Sequence, residues 1–183
     1  MHQTSDTVTP YYRLDPDTVI HAIESTGLEC DGRLLALNSY ENRVYQVGIE
    51  DASPLVSKFY RPGRWTDAQI LEEHEFSLEI ANAEIPLIPP MVINGQTLHE
   101  HDGFRFALFE RRGGHAPELD QRDTRIWLGR FLGRIHAIGA ARNFNTRPRL
   151  TIESFGHQPV KALLDGRWLP AHLETAFSTL STD

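Results

Sequence analysis

Apolar and polar residues alternate over much of the first 110 positions, and this alternation predicts a sheet. Two runs, at about 33–38 and 43–49, flank the polar stretch "NSYENR", and a third run, "PLVSKFYR", follows them. A period of two is typical of strands that bury one face. The later stretch "MVINGQTLHEHDGFRFALFE" also alternates and contains Asn-Gly and Asp-Gly turn signals. We therefore expect two or three further strands that join the same sheet.

Segments with helical spacing precede, interrupt and follow these strands. In "LDPDTVIHAIESTG", an Asp-Pro pair provides an N-cap and a first helical residue. An amphipathic helix is predicted with Thr66 or Asp67 as its N-cap, and it is expected to end before a group of prolines. Apolar residues recur at helical spacing again in "TRIWLGRFLGRIHAIGAAR" and in "PAHLETAFSTL".

The change from strands to helices predicts two parts, separated near Gly113-Gly114. We expect a loose N-terminus at 1–13, a sheet-rich lobe with one main helix at 14–112, and the start of a helical lobe at 113–183. This is an α+β fold. The helical part offers no obvious partner for its apolar faces, so exposed apolar surface is expected there.

Composition excludes several classes of protein. The net charge is −7, from 18 Lys and Arg against 25 Asp and Glu, which argues against a broad nucleic-acid surface and leaves room only for a small phosphate site. A single cysteine, Cys30, cannot form an intramolecular disulfide. The N-terminus resembles no signal peptide, and no apolar stretch approaches the length of a membrane span. A cytoplasmic protein is therefore expected.

Two charged residues stand at positions that favour burial. Lys58 alternates with Val56 and Tyr60 along a predicted strand, and Glu73 falls near the apolar stripe of the helix that follows. Taken singly, the lysine is typical of an edge strand and the glutamate of a helix boundary. A buried glutamate requires a cation, however, so an ion pair between Lys58 and Glu73 is the more specific interpretation.

The histidines indicate no metal site. His99 and His101 could share a metal with a neighbouring carboxylate, but no third ligand stands at a recognisable spacing. His136 lies in a predicted helix and is expected to be a packed, hydrogen-bonded core residue.

The order of parts is that of an ATP phosphate site in kinase-type folds: a polar hairpin, a strand lysine, a helix glutamate, and strands that end at a Gly-Gly hinge. The hairpin would cover the phosphates, Lys58 would neutralise them, and Glu73 would hold the lysine extended. The connecting strand at Phe109 and Glu110 would offer main-chain groups to the adenine edge.

From about residue 13 almost to its end, the sequence resembles the stress response kinase A family, bacterial relatives of the aminoglycoside and choline phosphotransferases. The resemblance implies a protein-kinase-like fold and a cytoplasmic Ser/Thr protein kinase that uses ATP and Mg²⁺ in stress protection. In this family a polar tip replaces the glycine-rich loop, which implies that Ser39 binds ATP and that Asn42 stabilises the turn. The stretches that carry the resemblance are "LNSYENRVYQV", "KFYRPGRW", "QILEEHEFSLEIANAEIPLIPP", "NGQTLHEHDGFRFALF", "LGRFLGRIH" and "PAHL".

Two motifs of that family are absent from this sequence. Members carry a catalytic loop of the type H-G-D-x-x-x-x-N and a D-L-D-D metal-binding segment, and neither occurs here. Without them, phosphoryl transfer lacks its base and its Mg²⁺ ligands. We expect a truncated chain that is inactive alone and has no metal site, with an unknown protein substrate. The alternative is a non-catalytic protein-interaction domain.

Overall fold

The computed structural model describes residues 10–182, with no account of the Thr182 side chain. Most of the predicted loose N-terminus lies outside the described residues. Residues 10–13 form a turn, and Tyr11 packs against the core. The regular elements, in chain order, are α1 Pro16–Glu24, β1 Cys30–Leu37, β2 Arg43–Ile49, β3 Leu55–Phe59, α2 Asp67–Asn82, β4 His99–His101, β5 Phe104–Glu110, α3 Arg122–Gly139, a π-helical turn Glu153–His157, α4 Gln158–Asp165 and α5 Ala171–Thr182.

The five strands form one antiparallel sheet in the order β1-β2-β3-β5-β4. The predicted α+β architecture is therefore confirmed. Because β3 is central, Lys58 has a strand on each side: it lies opposite Val44 of β2 and Ala107 of β5. Its strand neighbours Ser57 and Phe59 point to the other face and are fully buried.

The two faces of the sheet are covered differently. Asp15 is the N-cap of α1, as the Asp-Pro signal predicts, and its side chain accepts a hydrogen bond from the Thr18 amide. The helix packs on the face of the sheet opposite Lys58. The main core there contains Leu14, Val19, Ala22, Ile23, Val47, Ile49, Leu55, Phe59, Phe104, Phe106 and Leu108. A smaller cluster on the Lys58 face contains Tyr60, Ile70 and Ala107, and it ties α2 to the sheet.

By its contacts the chain divides into two compact units, Met1–Thr146 and Arg147–Asp183. The first holds the sheet and α1 to α3, and the second holds the π-helical turn, α4 and α5. The lobe boundary predicted at 112/113 falls in a segment without regular structure and stays a prediction.

Helix α3 buries none of its residues. Trp127 is 63% exposed and Leu132 is 55% exposed, so the expected apolar surface in the helical part is present. The prediction of a packed core histidine at His136 is wrong, because that side chain lies exposed on the same sparsely covered helix. Within residues 10–182, no helix is both long and apolar enough to span a lipid bilayer.

Candidate functional site

The structure brings Lys58 and Glu73 together. The Lys58 Nζ atom lies 3.1 Å from Glu73 Oε1 and 4.7 Å from the centre of the Tyr60 ring. The side chains are 24% and 36% exposed, so the glutamate is less buried than its place near the apolar stripe predicted. An ammonium group held in this way keeps an open side from which it can donate to an anion.

Helix α2 fixes the position of Glu73. Thr66 accepts from the Gln69 amide while the Gln69 side chain accepts from the Thr66 amide, and this capping box starts the helix where the sequence predicts. Ile70 and Ile80 are buried on the side that faces the sheet. Because Glu73 lies less than one turn after Ile70, it reaches the sheet at the edge of this packed face.

His74 adds a second link between α2 and the sheet. Its Nε2 atom lies 2.6 Å from the Tyr60 hydroxyl, and its Nδ1 atom lies 2.9 Å from Thr97 Oγ1. Burial lowers the pKa of His74 to about 4, so the ring is neutral at pH 7. The sequence reasoning missed this residue, although its place one turn after Ile70 signals an inward position.

The tip of the β1–β2 hairpin lies at the end of the strands near Lys58. Ser39 Oγ donates to the Asn42 carbonyl oxygen at 2.7 Å and closes the turn. Asn42 Oδ1 accepts from the Arg61 amide at 3.3 Å, so this side chain ties the tip to the loop after β3. Tyr40, at the apex, is fully exposed.

Glu41 also bonds this tip to distant segments of the chain, and the sequence analysis did not identify it. Its carboxylate accepts from Arg64 Nε and from Trp65 Nε1, both at 3.0 Å, and its carbonyl accepts from the Tyr11 hydroxyl at 2.9 Å. Partial burial acts to raise the pKa of Glu41, but the hydrogen bonds from Trp65 and Arg64 outweigh it and lower the pKa. No local sequence pattern signals these partners, which lie more than twenty residues away.

Phe109 shares a sheet face with Lys58. Residues opposite each other on neighbouring strands share a face, and Phe109 lies opposite Val56. The resulting surface beside the lysine is apolar and half-buried. Glu110 lies opposite Leu55, and its exposed carboxylate pairs with Arg112 at 2.7 Å, so its side chain is directed away from this surface.

One cavity of the described region lies apart from this site. This cavity of about 610 Å³ is lined by residues of α2, of the segment before β4, of β4 itself and by Arg105 of β5, and Lys58 and Glu73 do not line it. Within residues 10–182, no group of three or more His, Cys, Asp or Glu side chains is arranged to hold a metal ion.

With this geometry in view, comparison with known proteins identifies the class. Residues 33–178 match the phosphotransferase enzyme family, and the chain belongs to that family. It is 44% identical over 167 residues to stress response kinase A of Escherichia coli O157:H7, an alignment that covers 91% of this chain and 51% of the relative. It is 40% identical over 173 residues to the serine/threonine protein kinase RdoA of Salmonella typhimurium, covering 94% and 53%.

The chain thus spans about half the length of these curated relatives. Among solved structures, the amicoumacin kinase hAmiN in complex with AMP-PNP, Ca²⁺ and Ami matches with a TM-score of 0.64 at 18% identity. The match covers 80% of this chain and 47% of that one. This likeness confirms the kinase-like fold predicted from the sequence.

Proposed function

We propose that this chain is the ATP-binding portion of a stress-response Ser/Thr protein kinase. The observation that carries the proposal is the ion pair between Lys58 and Glu73 beneath a polar hairpin tip. Membership of the phosphotransferase family supports it, as do relatives named as stress response and Ser/Thr protein kinases. We also propose that the protein is cytoplasmic and that the phosphate acceptor is a Ser or Thr of another protein. The proposal includes no nucleic-acid or membrane partner.

Each site residue has a role that follows from its chemistry. Lys58 donates to phosphate oxygens and neutralises them, while Glu73 limits the conformations of its flexible stem. Ser39 would donate its backbone N–H to phosphate oxygens, and also its hydroxyl once this turns away from the Asn42 carbonyl, while Asn42 holds the tip over the end of β3. The apolar surface around Phe109 can accept one face of the adenine ring.

Adenine recognition is assigned to the main chain at Phe109 and Glu110. The Glu110 side chain is engaged with Arg112 and is not needed for this role. Backbone N–H and C=O groups at the end of β5 would pair with the polar edge of the base, as proposed from the sequence.

Magnesium enters this proposal as part of the Mg-ATP substrate. The amicoumacin kinase hAmiN was solved with a nucleotide analogue and Ca²⁺, which supports use of a divalent metal with nucleotide in this fold. The residues described here do not fit a metal site of their own, since they hold no suitable cluster and the sequence lacks both family motifs that supply the ligands. This chain alone is therefore proposed to bind nucleotide without transferring phosphate.

Calorimetric titration with Mg-AMP-PNP tests the proposal, because the chain offers a matched control. It contains two lysines, Lys58 and Lys161, and Lys161 forms an exposed i,i+4 pair with Asp165. We expect Lys58→Met to weaken binding about tenfold or more, since a hydrogen bond to a charged group contributes about 1.5–3 kcal/mol. Lys161→Met should match the wild type. Equal heats for the wild type and Lys58→Met would refute the proposal.

A second candidate, a non-catalytic protein-interaction domain, is favoured by helix α3. Its exposed Trp127 and Leu132 offer apolar surface of the kind that partners cover. This candidate predicts that a double variant, Trp127→Gln with Leu132→Gln, loses partners retained by the wild type from a cell extract, with nucleotide binding absent from both. Retention of the same proteins by both would count against it.

A further inference from the structure

We infer that Glu41 is the positioning residue that fastens the phosphate-covering hairpin tip to the loop between β3 and α2. The inference rests on the proposed nucleotide site and assigns that site a residue that the sequence reasoning did not. Both carboxylate oxygens of Glu41 are engaged by donors of that loop, so its role is to hold the tip and not to contact the nucleotide.

Each carboxylate oxygen of Glu41 accepts a hydrogen bond from a different donor. Oε2 accepts from Arg64 Nε and Oε1 accepts from Trp65 Nε1, each at 3.0 Å. The Arg64 guanidinium also lies 4.8 Å from the centre of the Trp65 ring, so the two donors hold each other in place. Both belong to the segment that joins the Lys58 strand to the Glu73 helix.

The Glu41 carbonyl and the two residues that follow it, Asn42 and Arg43, strengthen the same attachment. Tyr11 donates to the Glu41 carbonyl and lies 4.6 Å from the Arg43 guanidinium. Asn42 accepts from the Arg61 amide, so three consecutive residues of the tip each contact another segment of the chain. The contacts of Glu41 and Asn42 fix the tip to the same loop that leads from Lys58 to Glu73.

These hydrogen bonds from the tip to the loop after β3 compensate for the absence of glycine in the tip. A glycine-rich loop can bring several amides close to phosphates, whereas "NSYENR" must be held in the one conformation that does so. A tip that is ordered beforehand loses less conformational entropy when the phosphates bind. Release of Glu41 should therefore weaken binding of the phosphates and leave binding of the nucleoside unchanged.

The test compares the affinities of Glu41→Ala, Arg64→Met and the wild type for Mg-ATP and for adenosine. We expect each variant to bind Mg-ATP about five- to twentyfold more weakly, because phosphate binding must then order about one residue of the tip that the wild type already holds in place, with adenosine affinity unchanged. Glu41→Gln should recover part of the loss, because its amide oxygen can still accept from Trp65. Glu50→Ala, at the exposed turn after β2, is the matched control and should behave as the wild type.

The outcomes separate this inference from the proposed function. If folded Glu41→Ala and Arg64→Met bind Mg-ATP as tightly as the wild type does, the positioning role of Glu41 is refuted and the nucleotide site is not. An equal loss for Mg-ATP and adenosine would also overturn it, since that result indicates general destabilisation. Failure of the wild type to bind either ligand would refute the nucleotide site itself, and the positioning role with it.

Discussion

Acidification is expected to destabilise the first unit through His74. This side chain is 2% exposed and lies between Tyr60 and Thr97. Its pKa is lowered to about 4, first by burial and then by the charge of Lys58 and the nearby His99, against an opposing effect of Glu73. Since the pKa in the unfolded chain is 6.5, the unfolded state takes up a proton first as the pH falls.

The size of the effect follows from these two pKa values. The stabilisation from the neutral ring is complete above pH 6.5, declines as the pH falls, and is lost near pH 4. Linkage gives a loss of about 2 kcal/mol between pH 7.5 and pH 5, and about 3 kcal/mol in full. Carboxylates such as Glu41 and Asp15, whose pKa values are lowered, act mainly at lower pH.

Urea unfolding at pH 7.5 and pH 5 measures this loss. The variant His74→Gln cannot titrate, so its free energy of unfolding should fall about 2 kcal/mol less than that of the wild type over this interval. His115→Gln removes an exposed histidine and should retain the full wild-type dependence. An NMR titration of His74 gives its pKa directly. A value near 6.5, or the same loss in His74→Gln as in the wild type, would refute the reasoning.

Two further substitutions test the packing that positions Glu73. Ile70→Ala should lower the free energy of unfolding by about 3 kcal/mol, because Ile70 is fully buried between α2 and the sheet, and chemical denaturation would show it. Thr66→Ala should cost about 1 kcal/mol, because it removes half of the capping box of α2, and thermal unfolding would detect the fall in Tm. A change below about 0.3 kcal/mol at either position would contradict the assigned role.

Local sequence patterns were sufficient to predict the strands and helices that position the candidate site. The alternation around Lys58 predicted β3, and the signals at Asp15 and Thr66 predicted where α1 and α2 begin. These predictions succeeded because caps and periodicity depend on neighbouring residues. The pairing of Lys58 with Glu73 could also be inferred, since a helix directly after a strand packs back upon it.

Contacts between distant segments could not be predicted. The bonds of Glu41 to Arg64 and Trp65 depend on how a hairpin tip meets a loop more than twenty residues away. The prediction for His136 was wrong for a related reason, because helical spacing predicts an apolar stripe but does not show what covers it. The helical residues 153–165 were not anticipated, since Gly156 and Pro159 interrupt the pattern.

The most direct test of the account is covalent labelling of lysines with an acyl phosphate derivative of ATP. The lysine amine attacks the acyl carbon and ATP leaves, so a lysine at the phosphates reacts preferentially. Because the chain has two lysines, one mass spectrum reports the acylation of Lys58, at the site, and of Lys161, the control. We predict acylation of Lys58 that excess Mg-ATP suppresses, and slow acylation of Lys161 that Mg-ATP does not change. Equal labelling of both lysines, without protection by Mg-ATP, would contradict a nucleotide site at Lys58 and Glu73.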